Sequence, residues 1–600
     1  MSEPVTQDPF GADLALGASG LLGEANRAGV LSAADVHVAR RLGVLGGEAD
    51  ERVLLAAALT VRGARSGSVC IDLADASRLD PELAWPDLPA WATAVRGSVL
   101  VGPGRPLRWD ADLLHLDRYW RQEVQVCDDL LARDDQPPPV VDELRLRAGL
   151  ERLFPGDSAQ EQRRATRTAA TWWTTVLGGG PGTGKTTTVA GLLALLLDQP
   201  GPPPRIALAA PTGKAAARLQ EAVQQAVRQP GAGFDDGDRA RLGAVTASTL
   251  HRLLGSRPGA GTRFRHDRDD RLPYDVVVVD ETSMVSLTLM ARLLEALRPD
   301  ARLVLVGDPD QLASVEAGAV LADLVAGLSE RSTADGRPRV VVLDRTWRFG
   351  GAIADLATAV RDGDEDAALA VLRSGGEDVA FDPLPAGTRG GAGVRDDVVT
   401  TALAVRAAAA DADAALALEA LGRHRLLCAH RTGPFGVDAW SRQIERWLAA
   451  TGIGREGEWP VGRPLLVTAN DYGLGLFNGD TGVVVREPDG SVRAVFARGG
   501  GLVRYAPSRL SSVQTVHAMT VHRSQGSQFE RVTLVLPEED SPLLTRELLY
   551  TALTRAQRHV RVVGTEEAVR AAVRRPAVRA SGLRRRLSRA ADADRGRLTR

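Results

Sequence analysis

A glycine-rich run that ends in lysine and threonine is the first feature of this sequence that could do chemistry. It lies between an apolar run and a segment whose leucines recur at helical spacing. In that setting the backbone N–H groups of the loop face phosphates at the positive end of the helix dipole. Lys185 would neutralise the β- and γ-phosphates, and the Thr186 hydroxyl would ligate Mg²⁺. The pattern predicts an ATP and Mg²⁺ site formed by Gly179, Gly180, Pro181, Gly182, Thr183, Gly184, Lys185, Thr186 and Thr187.

An acidic pair supplies the second part of the predicted chemistry. Asp280 and Glu281 follow four consecutive valines. At the end of a buried strand, Asp280 is placed to hold Mg²⁺, usually through water, and Glu281 to polarise the attacking water as general base. Such a pair is also common at an ordinary loop start, so its functional interpretation depends on the glycine-rich loop.

Two residues further along the chain predict a cleft that closes. Gln311 follows an apolar run and could sense a γ-phosphate. Arg555 lies so far downstream that it belongs to a second sheet. It can reach the phosphates only if the two sheets close on the nucleotide. This arrangement favours an ATP-driven motor over a static nucleotide-binding protein.

Short apolar runs, each ending in a polar loop and followed by a helical segment, must position these groups. Strands buried on both faces have this composition, so we predict an α/β fold with two parallel sheets. Short alternating segments with Asn-Gly and Asp-Gly turns predict a small β-barrel inserted in the second sheet. The predicted buried strands are Trp172–Leu177, Ile206–Ala210, Val276–Val279, Leu303–Val306 and Val340–Leu343, then Leu426–Ala429, Val532–Leu536 and Val560–Val563.

Changes in composition, with a proline-rich break at 137–139, divide the chain into domains. The polar stretch 255–275 is either a small hairpin or a surface loop. The basic stretch 574–589 is predicted to be a solvated helix face rather than a DNA contact. The predicted units are a mixed N-terminal domain at 1–135, a first motor domain at 145–345, a second motor domain at 346–600 and the β insertion at 463–513.

The bulk composition restricts partners and location. The chain has 600 residues and a formal net charge of −2, so contact with nucleic acid would need local positive charge. Three widely spaced cysteines do not form a disulfide framework and suit a reducing compartment. The N-terminus lacks a signal-peptide pattern, and no apolar run is long enough to span a bilayer. We therefore expect a cytoplasmic protein that does not enter a membrane.

Taken in order, these motifs resemble those of superfamily 1 helicases. The resemblance is to the RecD branch in particular, which includes the alpha subunits of exodeoxyribonuclease V. The matching segments cover most of the chain: GGPGTGKTTT, VVVDETSM, VGDPDQLASVEAG, TVHRSQGSQF and LLYTALTRA, with AHRTGPFGVDAW and LFNGDTG in support. The resemblance implies two RecA-like P-loop motor domains with an SH3-like β insertion. It also implies an ATP-dependent DNA helicase that moves 5′ to 3′ on single-stranded DNA.

Partners follow from the same resemblance. The segment 54–70 is similar to the region through which the family contacts its partner subunits. RecB-like and RecC-like subunits are therefore expected in a heterotrimer that processes double-strand DNA ends for homologous recombination and repair. The sequence shows no recognisable nuclease constellation, so the nuclease site is expected in a partner chain.

The resemblance also implies roles for individual residues. Gln162 would read adenine, with Gln160 as the competing candidate. Trp347 would stack on adenine or simply pack in the core, and Arg348 would join Arg555 as a second arginine finger. The other implied contacts are those of Gln528 with the nucleotide ribose and of Thr212, Thr249, His251, Thr520 and His522 with DNA.

Two positions depart from the family pattern. Arg523 stands where lysine is common, and Gln528 stands where glutamate is common. Arginine keeps the charge but binds phosphate in a different geometry, and glutamine keeps an acceptor but loses the charge. These changes bear on coupling to DNA rather than on hydrolysis.

Two other functions stay open for this sequence. One is an assembly subunit whose ATP binding matters more than its motion, and the other is an RNA-directed helicase.

Overall fold

The computed structural model describes residues 13–256, 263–345, 351–383, 391–451, 457–471, 473–498 and 501–589. Its N-terminal region packs helices against a three-stranded antiparallel sheet in which the last strand along the chain lies in the middle. The elements are α1 (Gly20–Arg27), α2 (Ala33–Gly46), α3 (Glu51–Arg65), β1 (Cys70–Asp72), α4 (Leu88–Gly97), β2 (Leu107–Asp110), β3 (Leu113–Leu116) and α5 (Asp117–Asp134).

Six parallel strands form the first motor sheet. Its elements are α6 (Glu143–Leu153), α7 (Gln160–Thr171), β4 (Thr174–Gly179), α8 (Lys185–Leu197), β5 (Ile206–Ala210), α9 (Gly213–Arg228), α10 (Asp236–Gly243), β6 (Ala247–Thr249), α11 (Leu250–Leu253), β7 (Val276–Val279), α12 (Leu287–Ala296), β8 (Arg302–Gly307), α13 (Val320–Asp335) and β9 (Val340–Leu343). The strand order is β6-β5-β7-β8-β4-β9. In β7, Val277 and Val279 face one apolar cluster and Val276 and Val278 face the other, so both faces of the sheet are buried.

Five parallel strands form the second motor sheet, in the order β10-β19-β18-β11-β17. The remaining elements are α14 (Ala352–Asp362), α15 (Glu365–Ser374), β10 (Val379–Pro383), α16 (Ala392–Ala410), α17 (Ala414–Arg423), β11 (His424–Cys428), α18 (Val437–Ala450), β12 (Pro464–Val467), β13 (Thr481–Arg486), β14 (Val492–Arg498), β15 (Gly501–Tyr505), β16 (Val513–Thr515), β17 (Ala518–Thr520), α19 (Val521–Ser524), β18 (Phe529–Val535), α20 (Arg546–Leu553), β19 (Ala556–Gly564) and α21 (Glu566–Arg574). All eight strands predicted from apolar runs are present; β5, β7 and β9 have the predicted ends, and the ends of the other five differ by up to four residues.

The inserted segment is an antiparallel sheet of five strands in the order β15-β14-β13-β12-β16. Among the described residues this order is linear, because the outer strands β15 and β16 do not pair with each other. Closure into an SH3-like barrel therefore stays a prediction. In the 255–275 stretch, a bridge between Ser256 and Phe264 favours a hairpin over a plain loop, although 257–262 lie outside the described residues.

Two predicted domain boundaries do not match the packing. Helix α5, assigned to the N-terminal domain, packs on α12, and its Val126 and Leu130 belong to the core beneath the first motor sheet. At the other end, residues 575–589, here called the C-terminal strap, leave the second motor domain. Leu583 and Leu587 of the strap join the same core under the first sheet.

The predicted solvated basic face at 574–589 is present in part: Arg574, Arg575, Arg584, Arg585 and Arg589 are exposed, but the strap also pairs with other parts of the chain. Arg584 pairs with Glu330 at 2.6 Å, and Arg586 pairs with Asp110 at 2.6 Å. Each arginine therefore joins the strap to a different unit of the chain. Sequence composition could not show this, because an arginine-rich helix has the same sequence pattern whether its partners are water or distant carboxylates.

Within the described ranges, no helix combines the length and apolar character needed to cross a membrane.

Candidate nucleotide site and the interface between the motor sheets

The glycine-rich loop leaves β4 at Gly179 and enters α8 at Lys185. Gly179, Gly182 and Gly184 have φ angles of 147°, 81° and 89°, which favour glycine. A Cβ at Gly179 would lie 2.7 Å from the carbonyl oxygen of Leu343 on the neighbouring strand. The loop can therefore hold its backbone N–H groups at the N-terminus of α8 only without side chains at these positions.

The side chains of the loop hold its shape. The Thr183 hydroxyl, which is buried, donates to the carbonyl oxygen of Gly180 at 2.8 Å. Lys185 Nζ donates to the carbonyl oxygens of Gly179 and Gly180, the latter at 2.7 Å. Burial lowers the pKa of Lys185, while the nearby Asp308 carboxylate acts in the opposite direction. Lys185 is thus a desolvated cation directed at the loop, as phosphate binding requires.

The acidic pair follows β7 and faces this lysine. Asp280 Oδ1 accepts a hydrogen bond from the backbone N–H of Glu281 at 2.9 Å. Burial, and then the Glu281 carboxylate, raise the pKa of Asp280 to about 6 against the opposing influence of Lys185 and Arg218. Glu281 itself has a φ of 51°, an uncommon conformation for a residue with a side chain.

These groups fit a magnesium ion. The ion prefers oxygen ligands, and the pKa of Asp280 is raised first by burial and then by the Glu281 carboxylate, so a cation bound there would stabilise the charged form. The Thr186 hydroxyl lies in the first turn of α8 and is partly exposed, whereas Thr187 next to it is exposed. Thr186 and Asp280 are therefore the oxygen donors suited to the ion, and Glu281 is suited to orient water.

One side chain joins the two motor sheets at this site. Gln311 Nε2 donates to the Asp308 carboxylate at 2.9 Å, and Gln311 Oε1 accepts from Arg555 Nη2 at 2.8 Å. Arg555 is 2% exposed and also donates to the carbonyl oxygens of Thr551 and Ser527, at 3.1 and 3.3 Å. Burial lowers the pKa of Arg555, and Glu281 is the largest opposing influence. The predicted proximity of Arg555 to the first sheet is thus present in the structure.

Further contacts that the sequence did not single out hold the two sheets together. The Leu312 N–H donates to the Thr551 hydroxyl at 2.9 Å, and Gln525 Nε2 donates to the Leu312 carbonyl oxygen at 2.8 Å. Tyr550 lies near the Asp308 carboxylate, and burial, followed by that negative charge, raises the pKa of the Tyr550 phenol. Tyr550, Thr551 and Gln525 all lie in motifs recognised from the sequence, but their individual partners depend on how the sheets face each other.

Arg218 is the residue that the sequence gave least reason to suspect. It lies on α9 of the first motor domain, and its guanidinium donates to the Gly526 carbonyl oxygen at 2.5 Å and to Gln528 Oε1 at 3.3 Å. Asp280 and Glu281 counteract the lowering of its pKa by burial. Gln528 therefore contacts an arginine across the interface, where glutamate would place a full negative charge.

The adenine end of the site is only partly described. Gln162 is 5% exposed, and its Oε1 has no hydrogen-bond partner among the described residues. Gln160, in contrast, is exposed at the start of α7. A buried acceptor suits an adenine amino group, so the geometry favours Gln162 over Gln160. Trp347 and Arg348 lie outside the described residues.

The predicted DNA contacts lie at the carboxyl ends of strands in both sheets. Thr212, Thr249 and Thr520 are the N-cap residues of α9, α11 and α19, and each hydroxyl accepts from a backbone N–H three residues on. Helix N-termini of this kind suit phosphate groups. His251 is exposed with its ring 5.8 Å from that of Phe264. His522 is partly buried, which lowers its pKa.

A signal for one more residue was present in the sequence. Among 74 lysine and arginine residues, only Lys185 and Lys214 are lysines. Lys214 lies two residues after Thr212, and its Nζ donates to the Gly479 carbonyl oxygen of the insertion at 3.4 Å. Burial lowers the pKa of Lys214 to about 8. In so arginine-rich a chain, lysine at these two loops indicates sites where a compact ammonium is needed.

Comparison with known proteins agrees with this organisation. Residues 27–118 match the family described as RecBCD enzyme subunit RecD, N-terminal domain. Residues 162–317 match the AAA domain family, and residues 515–563 match the UvrD-like helicase C-terminal domain. The three matched segments lie within the N-terminal region, the first motor domain and the second motor domain, respectively.

Several named proteins are similar over long stretches. The RecBCD enzyme subunit RecD of Mycolicibacterium smegmatis is 57% identical over 93% of this chain and 98% of its own length. Its counterpart in Mycobacterium tuberculosis is 56% identical over 96% of this chain and 98% of its own length. The ATP-dependent RecD2 DNA helicase of Deinococcus radiodurans is 34% identical over 59% of this chain and 42% of its own length.

Proposed function

The chain belongs to the RecD subunit family of RecBCD enzymes, and from this premise we propose that it is an ATP-dependent helicase moving 5′ to 3′ on single-stranded DNA. The observation that carries the proposal is the Gln311 bridge between Asp308 on the first sheet and Arg555 on the second. Gln311 contacts both Asp308 and Arg555. A structural change at the phosphates would therefore move Arg555 and, with it, the second sheet.

Hydrolysis is divided among residues of the first sheet and one of the second. The loop N–H groups and Lys185 hold the β- and γ-phosphates, while Thr186 and Asp280 would hold Mg²⁺. When bound, the ion neutralises charge on the phosphate oxygens. Glu281 accepts a proton from the attacking water, and Arg555 places its positive charge at the γ-phosphate.

Movement follows from the change in contacts between the sheets. Thr212 and Thr249 on the first sheet and Thr520 on the second each present a helix N-terminus to a phosphate of the strand. Closure of the cleft brings the two sets together, and loss of the γ-phosphate lets them separate. Alternate tightening of the DNA contacts on the two sheets would move the strand in one direction. The 5′-to-3′ direction itself is inferred from membership of the RecD family.

The partners follow from the N-terminal region. We assign to it the docking of RecB-like and RecC-like subunits in a heterotrimer that processes double-strand DNA ends for homologous recombination. DNA cleavage belongs to a partner chain in this proposal. The cytoplasm is the compartment that fits such a complex.

Strand displacement on tailed duplexes tests the polarity. The chain, purified with its partner subunits, is given a duplex with a 5′ tail or with a 3′ tail, in the presence of ATP and Mg²⁺. So that unwinding by another subunit is not counted, each tail is also tested with a complex that carries Lys185→Gln in this chain. Unwinding of 5′-tailed substrate is expected, and unwinding from 3′ tails alone would contradict the proposal.

Lys185→Gln tests whether the ATP site drives motion. Loss of the ammonium is expected to lower the DNA-stimulated kcat of the chain about 10²–10³-fold and to abolish translocation, because one electrostatic contact to the reacting group is removed. Arg228→Gln, an exposed change at the end of α9, is the matched control. An assembly role would leave the complex fully active with Lys185→Gln, and greater stimulation by poly-U than by poly-dT would indicate an RNA helicase.

A further inference from the structure

Three distant segments of the chain meet beside the loop that follows Gln311. They are residues 66–69 after α3, residues 312–318 after β8, and residues 577–582 of the C-terminal strap. The first belongs to the N-terminal region, the second to the first motor domain, and the third follows the last helix of the second motor domain. A contact at this junction therefore touches all three units.

Arg579 lies at the centre of the junction. Its Nη1 donates to the carbonyl oxygens of Ser314 and Glu316, the second at 3.3 Å. The guanidinium also covers Gly67, where a Cβ would lie 2.9 Å from Arg579 Cζ. Both of these hydrogen bonds go to the loop backbone, and among the described residues Arg579 forms no ion pair.

Backbone contacts fix the same three segments around Arg579. The Gly318 N–H donates to the Gly67 carbonyl oxygen at 2.9 Å, which anchors the far end of the loop. The Val69 N–H donates to the Ala580 carbonyl oxygen at 2.9 Å, and the Ala580 N–H donates to the Ser68 hydroxyl at 3.2 Å. The loop is thus held by the strap near its middle and by the N-terminal region at its end.

The held loop is continuous with the interface between the motor sheets. Leu312, two residues before Ser314, contacts both Thr551 and Gln525 of the second motor domain. The positive charge of Arg579 is also near His522, since it contributes with burial to the lowered pKa of that histidine. Arg579 therefore lies beside the segment that carries Gln311 and beside a predicted DNA contact.

We propose that Arg579 is a positioning residue that fixes the 312–318 loop between the N-terminal region and the second motor sheet, so that ATP hydrolysis responds to single-stranded DNA. The inference rests on the proposed function. Arg579 touches neither nucleotide nor reacting atoms in this assignment. It acts through the Ser314 and Glu316 backbone on the position of Gln311. A change in the N-terminal region would reach the first motor domain through the same contacts.

The test measures ATPase activity of the full chain with and without oligo-dT. Arg579→Ala is expected to lower the DNA-stimulated kcat roughly tenfold, within the range that coupling residues exert. The KM for ATP and the unstimulated rate should stay within about twofold, because the phosphate-binding groups are untouched. Arg579→Lys keeps one donor and the charge, and should recover part of the stimulated rate.

Arg585→Ala is the matched control, since Arg585 lies on the same strap but donates to the carbonyl oxygen of Ala111 in the N-terminal region. It should leave stimulation unchanged. Thermal melting of each variant separates a local effect from unfolding. An Arg579→Ala chain that melts normally and keeps its stimulation, or an equal loss in Arg585→Ala, overturns the positioning role alone. A wild-type chain that DNA does not stimulate overturns the proposed function as well.

Discussion

Asp280 carries an electrostatic penalty that its neighbours only partly offset. Its carboxylate is buried beside Glu281, and its pKa is raised to about 6 even though Lys185 and Arg218 lie near. Glu281 adds a left-handed backbone conformation. Penalties of both kinds concentrate at functional sites, and a bound cation would relieve the electrostatic one. The ligand-free site is thus less stable than its surroundings, and binding of a cation should stabilise it.

Asp280→Asn should therefore stabilise the ligand-free chain while it impairs hydrolysis. An unfolded aspartate titrates near pH 3.9, so above pH 6 the folded state bears the full penalty of the charged form. As pH falls from 6 toward 4, the folded wild type takes up the proton first and the penalty disappears. We expect the variant to be more stable by about 3 kcal/mol well above pH 6, a rise of several degrees in melting temperature, with the difference lost near pH 4.

Differential scanning calorimetry at pH 8, 6 and 4.5, with and without ATP and Mg²⁺, checks this expectation. Asp540→Asn, which changes an exposed aspartate, serves as the control and should show no such pH-dependent gain. A variant that melts below wild type at pH 8 without ligand would contradict the argument. Stabilisation by ATP and Mg²⁺ should be smaller in Asp280→Asn than in wild type.

Helix α9 is the element that connects the most parts of the site. Its N-cap is Thr212, and its first turns carry Lys214, which contacts the insertion, and Arg218, which contacts the second motor domain. Its first residue, Gly213, lies against the Phe477 ring of the insertion. One helix thus sets the distances among the first sheet, the insertion and the predicted path of DNA.

Gly213→Ala tests this close approach. An added Cβ would lie 2.6 Å from Phe477 Cγ, closer than real Cβ contacts allow. Overpacking of this kind costs about 1–3 kcal/mol, and the strain falls on the interface rather than inside either domain. We expect the Kd for fluorescent oligo-dT, measured by anisotropy, to rise by about tenfold or more.

A glycine-to-alanine change at an open position is the control, and a second substitution at Phe477 is the rescue. Gly243→Ala adds a Cβ with nothing within 4 Å at the end of α10, so oligo-dT affinity should not change. Phe477→Ala combined with Gly213→Ala should restore part of the affinity, since alanine lacks the Cγ and Cδ1 atoms that the added methyl group would meet. Equal affinities of wild type and Gly213→Ala would show that the insertion does not act through α9.

At the scale of the whole molecule, the C-terminal strap makes the N-terminal region part of the motor. Leu583 and Leu587 join a core that includes Val126 of α5 and Leu293 of α12. Gly582 N–H donates to the buried Glu123 carboxylate at 2.8 Å. Apolar burial supplies the attraction and the hydrogen bonds fix the register, so a partner bound to the N-terminal region would bear on the first motor domain.

Leu587→Ala should loosen this attachment. Truncation of a fully buried leucine costs about 2–5 kcal/mol, and here the loss falls on the strap. Amide exchange in residues 66–70, where Val69 N–H bonds the strap, should accelerate about 30-fold or more when measured by mass spectrometry. Leu416→Ala, at a leucine that is 43% exposed in α17, is the control. Unchanged exchange in Leu587→Ala would mean that the strap does not hold the N-terminal region.

The sequence by itself determined the local chemistry of this protein. Glycines at 179, 182 and 184 are required by the backbone of one short loop, so a motif of consecutive residues identifies it. The buried strands were predictable for a similar reason, because burial on both faces leaves a continuous apolar run such as the four valines of β7. Both signals lie within a few residues of one another along the chain.

Only the tertiary structure decided which distant groups meet. Arg218 contacts Gly526, Arg579 contacts the loop at 314–316, and the strap arginines pair with carboxylates far away in the chain. Each of these arginines looks the same in sequence as one without a distant partner, since its partner is set by how whole sheets and helices pack. The glycine-rich loop and the buried strands could therefore be predicted from short stretches of sequence. Its connection to the second sheet, the insertion and the N-terminal region required the packed chain.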